Sequence, residues 1–133
     1  MTPHTVLVIE DNRMNLELAS EVLHAAGFTV LEAMTGGEGI RVATERLPDL
    51  VLLDMRLPDM DGLEVVRRLR ADPRTAALPV VALTAQAMKG DELAARRAGC
   101  SGYITKPINT RTFLAEVGRY LISEEQQGGH LTR

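Results

Sequence analysis

The sequence predicts an α/β fold: a five-stranded parallel sheet of order 2-1-3-4-5 with five helices on its two faces. Three observations lead there. Short apolar runs alternate with amphipathic stretches five times without a break, the pattern of an open sheet covered by helices on both sides. Leu50-Val51-Leu52-Leu53 is apolar without interruption, as a strand buried on both faces must be. Four of the five apolar runs also lead into polar residues, so one edge of the sheet collects the polar groups. Order 2-1-3-4-5 is common for five such strands, and ligands bind outside the carboxyl ends of the strands where the chain reverses direction.

The elements follow in order. Thr5-Val6-Leu7-Val8-Ile9 is a β-branched run that ends in two acids. Asn12 to Ala26 has helical spacing, with Leu18, Ala19, Val22, Leu23 and Ala26 on one stripe. Arg13, Glu17, Ser20 and His24 lie opposite, and Gly27 closes the helix as a C′ residue. Phe28 to Ala33 reads as the second strand and Thr35 as the N-cap of the second helix. Gly36, Gly37 and Gly39 leave that helix a weak first turn. After the third strand, Pro58 and Gly62 bracket a loop, and Gly62 to Ala71 is helical. Pro79 to Leu83 is the fourth strand, ending at Thr84. Met88 to Ala98 is the fourth helix, stopped by Gly99, and Gly102 to Thr105 is a short fifth strand. Asn109 or Thr110 caps a last helix that runs to about Ile122. One domain is expected over 1–122. Residues 123–133 are polar, contain Gly128-Gly129, and are expected to be a disordered tail.

Composition narrows the function. The 133 residues suit one domain, and 45% hydrophobic with 25% charged is ordinary for a globular protein. Two Phe, two Tyr and no Trp make the core aliphatic. The net charge is −3 and the basic residues are interleaved with acids, which argues against a nucleic-acid surface. Cys100 is alone, so no intrachain disulfide forms, and a small buried thiol is the ordinary reading. Neither a signal peptide nor a membrane span is visible, which places the expected location in the cytoplasm.

The chemistry lies at the strand ends. Glu10 and Asp11 follow strand one, Asp54 follows strand three, Thr84 ends strand four, and Lys106 follows strand five. Order 2-1-3-4-5 sets Asp54 between the acidic pair and Thr84. Each residue alone has an ordinary explanation: Asp11 can cap the first helix, a strand-end Thr is usually structural, and a strand-end Lys is usually solvated. Gathered at the ends of four strands, they make a site. Three close carboxylates repel unless a cation joins them or their pKa values rise. Mg²⁺ (or Mn²⁺) suits such oxygen ligands. Three negative charges on Glu10, Asp11 and Asp54 balance those of Mg²⁺ and Lys106. Asp54 is then placed to take a phosphoryl group, with Lys106 and a Thr84 hydroxyl facing the phosphoryl oxygens. Asp59 and Asp61 sit in the Pro58/Gly62 loop as ordinary turn and cap residues and are assigned no chemistry.

These residues stand in "VIEDN" at 8–12, "LLDMRLPDMDGLE" at 52–64, "VVALTAQA" at 80–87 and "YITKPI" at 103–108. At these motifs the chain resembles the receiver domains of two-component response regulators, over Thr5 to Leu121, and among them the stand-alone cell-division receivers. The resemblance implies the flavodoxin-like receiver fold. It makes Asp54 the phosphoacceptor, Asp11 a direct metal ligand, Glu10 a ligand through water, and the Arg56 backbone carbonyl a further ligand. It makes Thr84 and Tyr103 a switch pair, Lys106 the phosphate-binding lysine, and Lys106-Pro107 a cis peptide. It implies a phosphoacceptor switch rather than an ordinary enzyme, one that assists its own phosphorylation and dephosphorylation. The phosphodonor is then a sensor histidine kinase or histidine phosphotransfer protein. Output is a phosphorylation-dependent protein contact or a phosphorelay, without nucleic acid or membrane.

Three other readings compete. A flavodoxin-type flavin module shares the sheet order but needs a Gly/Ser/Thr-rich first loop, which is acidic here. A haloacid-dehalogenase phosphatase places its nucleophile after strand one and a second Asp two residues on; here Asp54 follows strand three and Arg56 holds that position. A receiver excised from a hybrid histidine kinase or another multidomain regulator is the third, against which Met1 and the polar tail argue. The chain ends soon after the fifth helix, and no attached output domain is expected.

Overall fold

In a computed structural model of the chain, residues 4–84, 93 and 96–121 are described. The order is β1 (Thr5–Ile9), α1 (Arg13–Ala25), β2 (Thr29–Ala33), α2 (Gly36–Arg46), β3 (Leu50–Asp54), α3 (Gly62–Ala71), β4 (Val80–Thr84) and β5 (Gly102–Thr105). Residues 93 and 96–98 are helical and belong to α4, between β4 and β5; helical residues 113–121 form α5. The expected start of α4, Met88 onward, lies outside the described residues, as do Ile122 and the tail 123–133. No helix among the described residues is long and apolar enough to cross a membrane.

All four strand pairings are parallel and the order is β2-β1-β3-β4-β5, as the alternation of the sequence predicts. Alternate strand residues face opposite sides, and the core divides accordingly. Val6, Val8, Leu50 and Leu52 pack with Leu16, Ala19 and Leu23 of α1 and with Phe113 and Val117 of α5. Leu7, Ile9, Val51 and Leu53 pack with Ala43 of α2 and with Val65, Val66 and Leu69 of α3. Every residue of β3 is buried, which accounts for its unbroken apolar run. Phe113 is the one aromatic side chain fully buried among the described residues, so the core is aliphatic. Cys100 is buried too, and desolvation pushes its thiol up to about 11.

Local signals account for most boundaries. Asn12 caps α1 through its side chain, which accepts from the Asn15 N–H. At the other end Gly27 has φ +96°, its N–H donates to the His24 carbonyl, and the Phe28 N–H donates to that of Leu23. That pair of bonds is a Schellman motif, and its C′ position needs glycine's freedom. Thr35 caps α2 and Asp61 caps α3. Asn109 opens the last helix, its carbonyl accepting from the Phe113 N–H at 2.8 Å.

The buried stripe of α1 departs from the sequence reading. Leu16, Ala19, Ser20 and Leu23 are buried, whereas Leu18 is 37% exposed and Ala26 is exposed. The helix is turned so that Ser20, expected outside, faces inward. Its hydroxyl donates to Glu32 of β2 at 2.6 Å, which satisfies the buried polar group.

Candidate functional site at the carboxyl edge of the sheet

The register brings the strand ends level. Ile9 pairs with Leu53, Asp54 with Leu83, and Thr84 with Thr105. Residues that follow these strands therefore emerge at one edge. Glu10, Asp11 and Asp54 each offer a carboxylate oxygen, and these atoms lie within 4.8 Å of one another. Asp11 is exposed, while Glu10 and Asp54 are buried. Because Asn12 caps α1, Asp11 is not used as the helix cap and its carboxylate remains with the cluster.

Lys106 closes the group from β5. Its Nζ lies 2.5 Å from Glu10 Oε1 and 3.2 Å from Asp54 Oδ2. The lysine is anchored at its backbone, where its N–H donates to the Thr84 carbonyl at 2.6 Å, and the Lys106-Pro107 peptide is cis. Two further N–H groups point at the acids. That of Asn12 donates to Glu10 Oε2 at 3.2 Å, and that of Arg56 to Asp54 Oδ1 at 3.0 Å.

Burial raises the Glu10 carboxyl to about 7, and the neighbouring Asp54 carboxylate adds to the rise; Lys106 and the Asn12 N–H work against it. Burial also acts to raise Asp54, but hydrogen bonds from Glu10 and the Arg56 N–H, with the Lys106 charge, hold it below the usual value. The two carboxyls therefore titrate as a coupled pair, Glu10 raised and Asp54 lowered. Burial acts against the Lys106 charge, and its hydrogen bond to Glu10 with the nearby Asp54 carboxylate outweighs it, so its pKa is raised.

Such a set fits a divalent cation. The donors are hard oxygens, one carboxylate is desolvated enough to hold a proton near neutral pH, and the group is compact enough to share an ion. The other residues singled out from the sequence take their places around it. Thr84 is half-buried at the end of β4. Tyr103 lies on β5 opposite Ala82, partly buried against the core on the α3 side. Since paired residues share a face and Thr84 is two residues beyond Ala82, the Thr84 and Tyr103 side chains share one face of the sheet. Arg56 is exposed and forms a bridge with Asp61.

Asp59 is the residue whose part the sequence does not show. Its carboxylate accepts from the Gly36 N–H at 2.8 Å and the Gly37 N–H at 2.9 Å. These bonds to Gly37 and Gly36 hold its carboxyl below the usual value. The weak glycine-rich first turn of α2 was the available signal, but nothing local pointed to an acid so far along the chain.

Comparison with known proteins agrees with this geometry. Residues 6–118 match the family model "Response regulator receiver domain". The polar-differentiation response regulator DivK of Brucella anthropi is 40% identical over 119 residues, covering 90% of this chain and 97% of that protein. DivK of Brucella ovis is 40% identical over 117 residues, covering 88% and 95%. Among solved structures, the chemotaxis response regulator CheY4 of Vibrio cholerae superposes with TM-score 0.86 at 27% identity, over 90% of this chain and 99% of that one. The receiver domain of a sensor histidine kinase from Pseudomonas aeruginosa, with magnesium coordinated in its active-site cleft, gives TM-score 0.82 at 30% identity over 90% and 98%. A family match over most of the length, a shared sheet order and an acidic cluster at its carboxyl edge place this chain in the response-regulator receiver family, the phosphorylation-dependent switches of two-component signalling.

Proposed function

We propose that this receiver accepts a phosphoryl group on Asp54 from a sensor histidine kinase or histidine phosphotransfer protein, with Mg²⁺ (or Mn²⁺) held by Asp11, Asp54, the Arg56 carbonyl and, through water, Glu10. The observation that carries the reading is the convergence of three carboxylates and Lys106 at one sheet edge. The receiver unit spans 1–122, with 123–133 a polar tail, and works in the cytoplasm.

An Asp54 oxygen attacks phosphorus, the bond from phosphorus to the donor's imidazole nitrogen breaks, and the imidazole leaves with the electron pair. Asp54 suits this role because Lys106 and the Arg56 N–H keep it ionised. A bound divalent cation supplies charge neutralisation for the phosphoryl oxygens. Lys106 gives a second positive charge, and the Thr84 hydroxyl donates to a phosphoryl oxygen once one is present. Thr84 and Tyr103 then form the switch pair that passes the change to the surface of α4, β5 and α5. Hydrolysis reverses the state: water attacks phosphorus, the Asp54–phosphorus bond breaks, and inorganic phosphate leaves. The chain's own residues thereby assist both steps, and the output is a phosphorylation-dependent protein contact or onward transfer in a phosphorelay.

Incubation with acetyl phosphate and Mg²⁺, followed by intact-mass spectrometry, tests the assignment. One phosphoryl group is expected on the wild type and none on Asp54→Asn. Equal labelling of both moves the acceptor elsewhere.

A further inference from the structure

The β3–α3 loop, residues 55–61, is fastened at two levels. At its base Arg56 and Asp61 pair in an antiparallel bridge, and the Gly62 N–H donates to the Met55 carbonyl at 3.0 Å. At its tip Asp59 reaches a different element. Its two oxygens accept from the N–H groups of Gly36 and Gly37, the first two residues of α2. The opening N–H groups of a helix have no partner within it. The side chain of Thr35, the local cap, accepts from the Glu38 N–H. Asp59 therefore supplies the rest of the cap from another loop, with a negative charge where the helix dipole favours one.

The approach is close because α2 begins with glycine. A Cβ at Gly36 would stand 2.6 Å from Met60 Cγ and 3.0 Å from Val65 Cγ2. The glycines that weaken this turn make room for the loop, and Asp59 restores part of what they cost. The same loop carries Arg56 to the acidic site, where its N–H meets Asp54. Met55, Leu57 and Met60 of the loop pack against the core, and the anchor at the tip, on a separate helix, fixes the loop against rocking about its base.

We propose that Asp59 is a positioning residue for the acidic site: by clasping Gly36 and Gly37 it holds the Arg56 backbone in place for the divalent cation. The inference rests on the metal reading of Arg56 given above. Coupling of this kind is reciprocal. If the clasp favours the metal geometry, the metal strengthens the clasp.

The test uses the full chain with Mg²⁺ alone as the probe, comparing wild type, Asp59→Ala and Asp59→Asn. Calorimetric titration is expected to show about tenfold weaker Mg²⁺ binding in Asp59→Ala, the usual scale when a group orienting a ligand is removed. Asp59→Asn, which keeps one acceptor oxygen, falls between. Amide exchange at Gly36 and Gly37 slows on adding Mg²⁺ to the wild type and does not respond in Asp59→Ala. A merely structural clasp lowers the melting temperature of Asp59→Ala but leaves Mg²⁺ affinity unchanged, with exchange at both glycines indifferent to the metal; that result overturns the proposal. Wild type that binds no Mg²⁺ at all overturns the metal reading itself, and the role of Asp59 falls with it.

Discussion

Lys106 is held more closely by Glu10 than by Asp54, 2.5 Å against 3.2 Å. The lysine therefore lies within reach of both buried acids, and a divalent cation must share those acids with it. Removing the ammonium leaves two carboxyls with no fixed countercharge, which strengthens the field on an incoming cation. Lys106→Met should bind Mg²⁺ more tightly, by up to about tenfold, equivalent to one unit of pKa-scale interaction. It should nevertheless take phosphate from acetyl phosphate more slowly, because a charge facing the phosphoryl oxygens is gone. Mg²⁺ titration and timed intact-mass labelling measure the two effects. Weaker Mg²⁺ binding in Lys106→Met contradicts the shared-acid arrangement.

The raised Glu10 carboxyl gives a pH dependence with a definite sign. Its folded value is about 7 against an ordinary 4.5, so its contribution to stability is complete below about pH 4.5 and is lost as pH climbs through 7. Asp54, Asp59, Glu64 and Asp72 are shifted the other way, and their contributions fade only as pH falls through the acid range. Between pH 5 and pH 8 the Glu10 effect stands apart from theirs. Without divalent ions the melting temperature should fall across this interval, and added Mg²⁺ should restore it most above pH 7. In Glu10→Gln, which has no proton to lose, the fall should disappear. A wild-type melting temperature that rises from pH 6 to pH 8 without metal runs against the prediction.

Much of this arrangement was readable because it rests on short-range rules. Glu10, Asp11, Asp54, Thr84 and Lys106 each end or follow an apolar run, and parallel strands of similar length deliver such residues to one edge. The caps at Thr35 and Gly27 were legible for the same reason. Other features depend on distant chain. Ser20 looks like a solvent residue until Glu32 of β2 is set beside it. Asp59 looks like a turn residue until α2 packs against the loop. Leu47 ends α2 with φ 45°, a conformation that costs a non-glycine residue about 1 kcal/mol, and nothing in a leucine announces it. Whether Asp11 served α1 or the acidic cluster was likewise open until Asn12 was seen to cap the helix.

Met14 and Leu16, two residues apart at the start of α1, stand in opposite environments. Leu16 is 5% exposed and belongs to the core, whereas Met14 is 79% exposed on the first turn of α1, close along the chain to Glu10 and Asp11. An apolar side chain presented to solvent beside the acceptor site is suited to contact a protein phosphodonor. Met14→Ala should slow transfer from a cognate phosphotransfer protein about fivefold, the scale of a contact worth ~1 kcal/mol. Labelling by acetyl phosphate, which needs no docking, should be unchanged. Equal slowing with both donors points to damage at the site instead.

The switch is the last consequence of the strand register. Thr84 and Tyr103 lie on neighbouring strands with side chains on one face, and Tyr103 packs against the α3-side core. A phosphoryl group on Asp54 brings acceptor oxygens to the edge where Thr84 ends β4. On the proposed switch reading, rotation of the Thr84 hydroxyl toward them would open room on that face for the Tyr103 ring. The two arrangements need differ by only a few kcal/mol for phosphorylation to shift the population. Residues 85–90 lie outside the described residues, so Tyr103 is the reporter to follow. The Tyr120 hydroxyl bonds to the Tyr103 carbonyl at 3.4 Å, which links any movement of β5 to α5. Thr84→Ala should still take one phosphoryl group from acetyl phosphate. Amide shifts induced by the phosphate mimic BeF₃⁻ at Tyr103 and Tyr120 should be large in the wild type and much smaller in Thr84→Ala. Shifts of equal size in both proteins mean that the signal reaches β5 by a path that does not pass through Thr84.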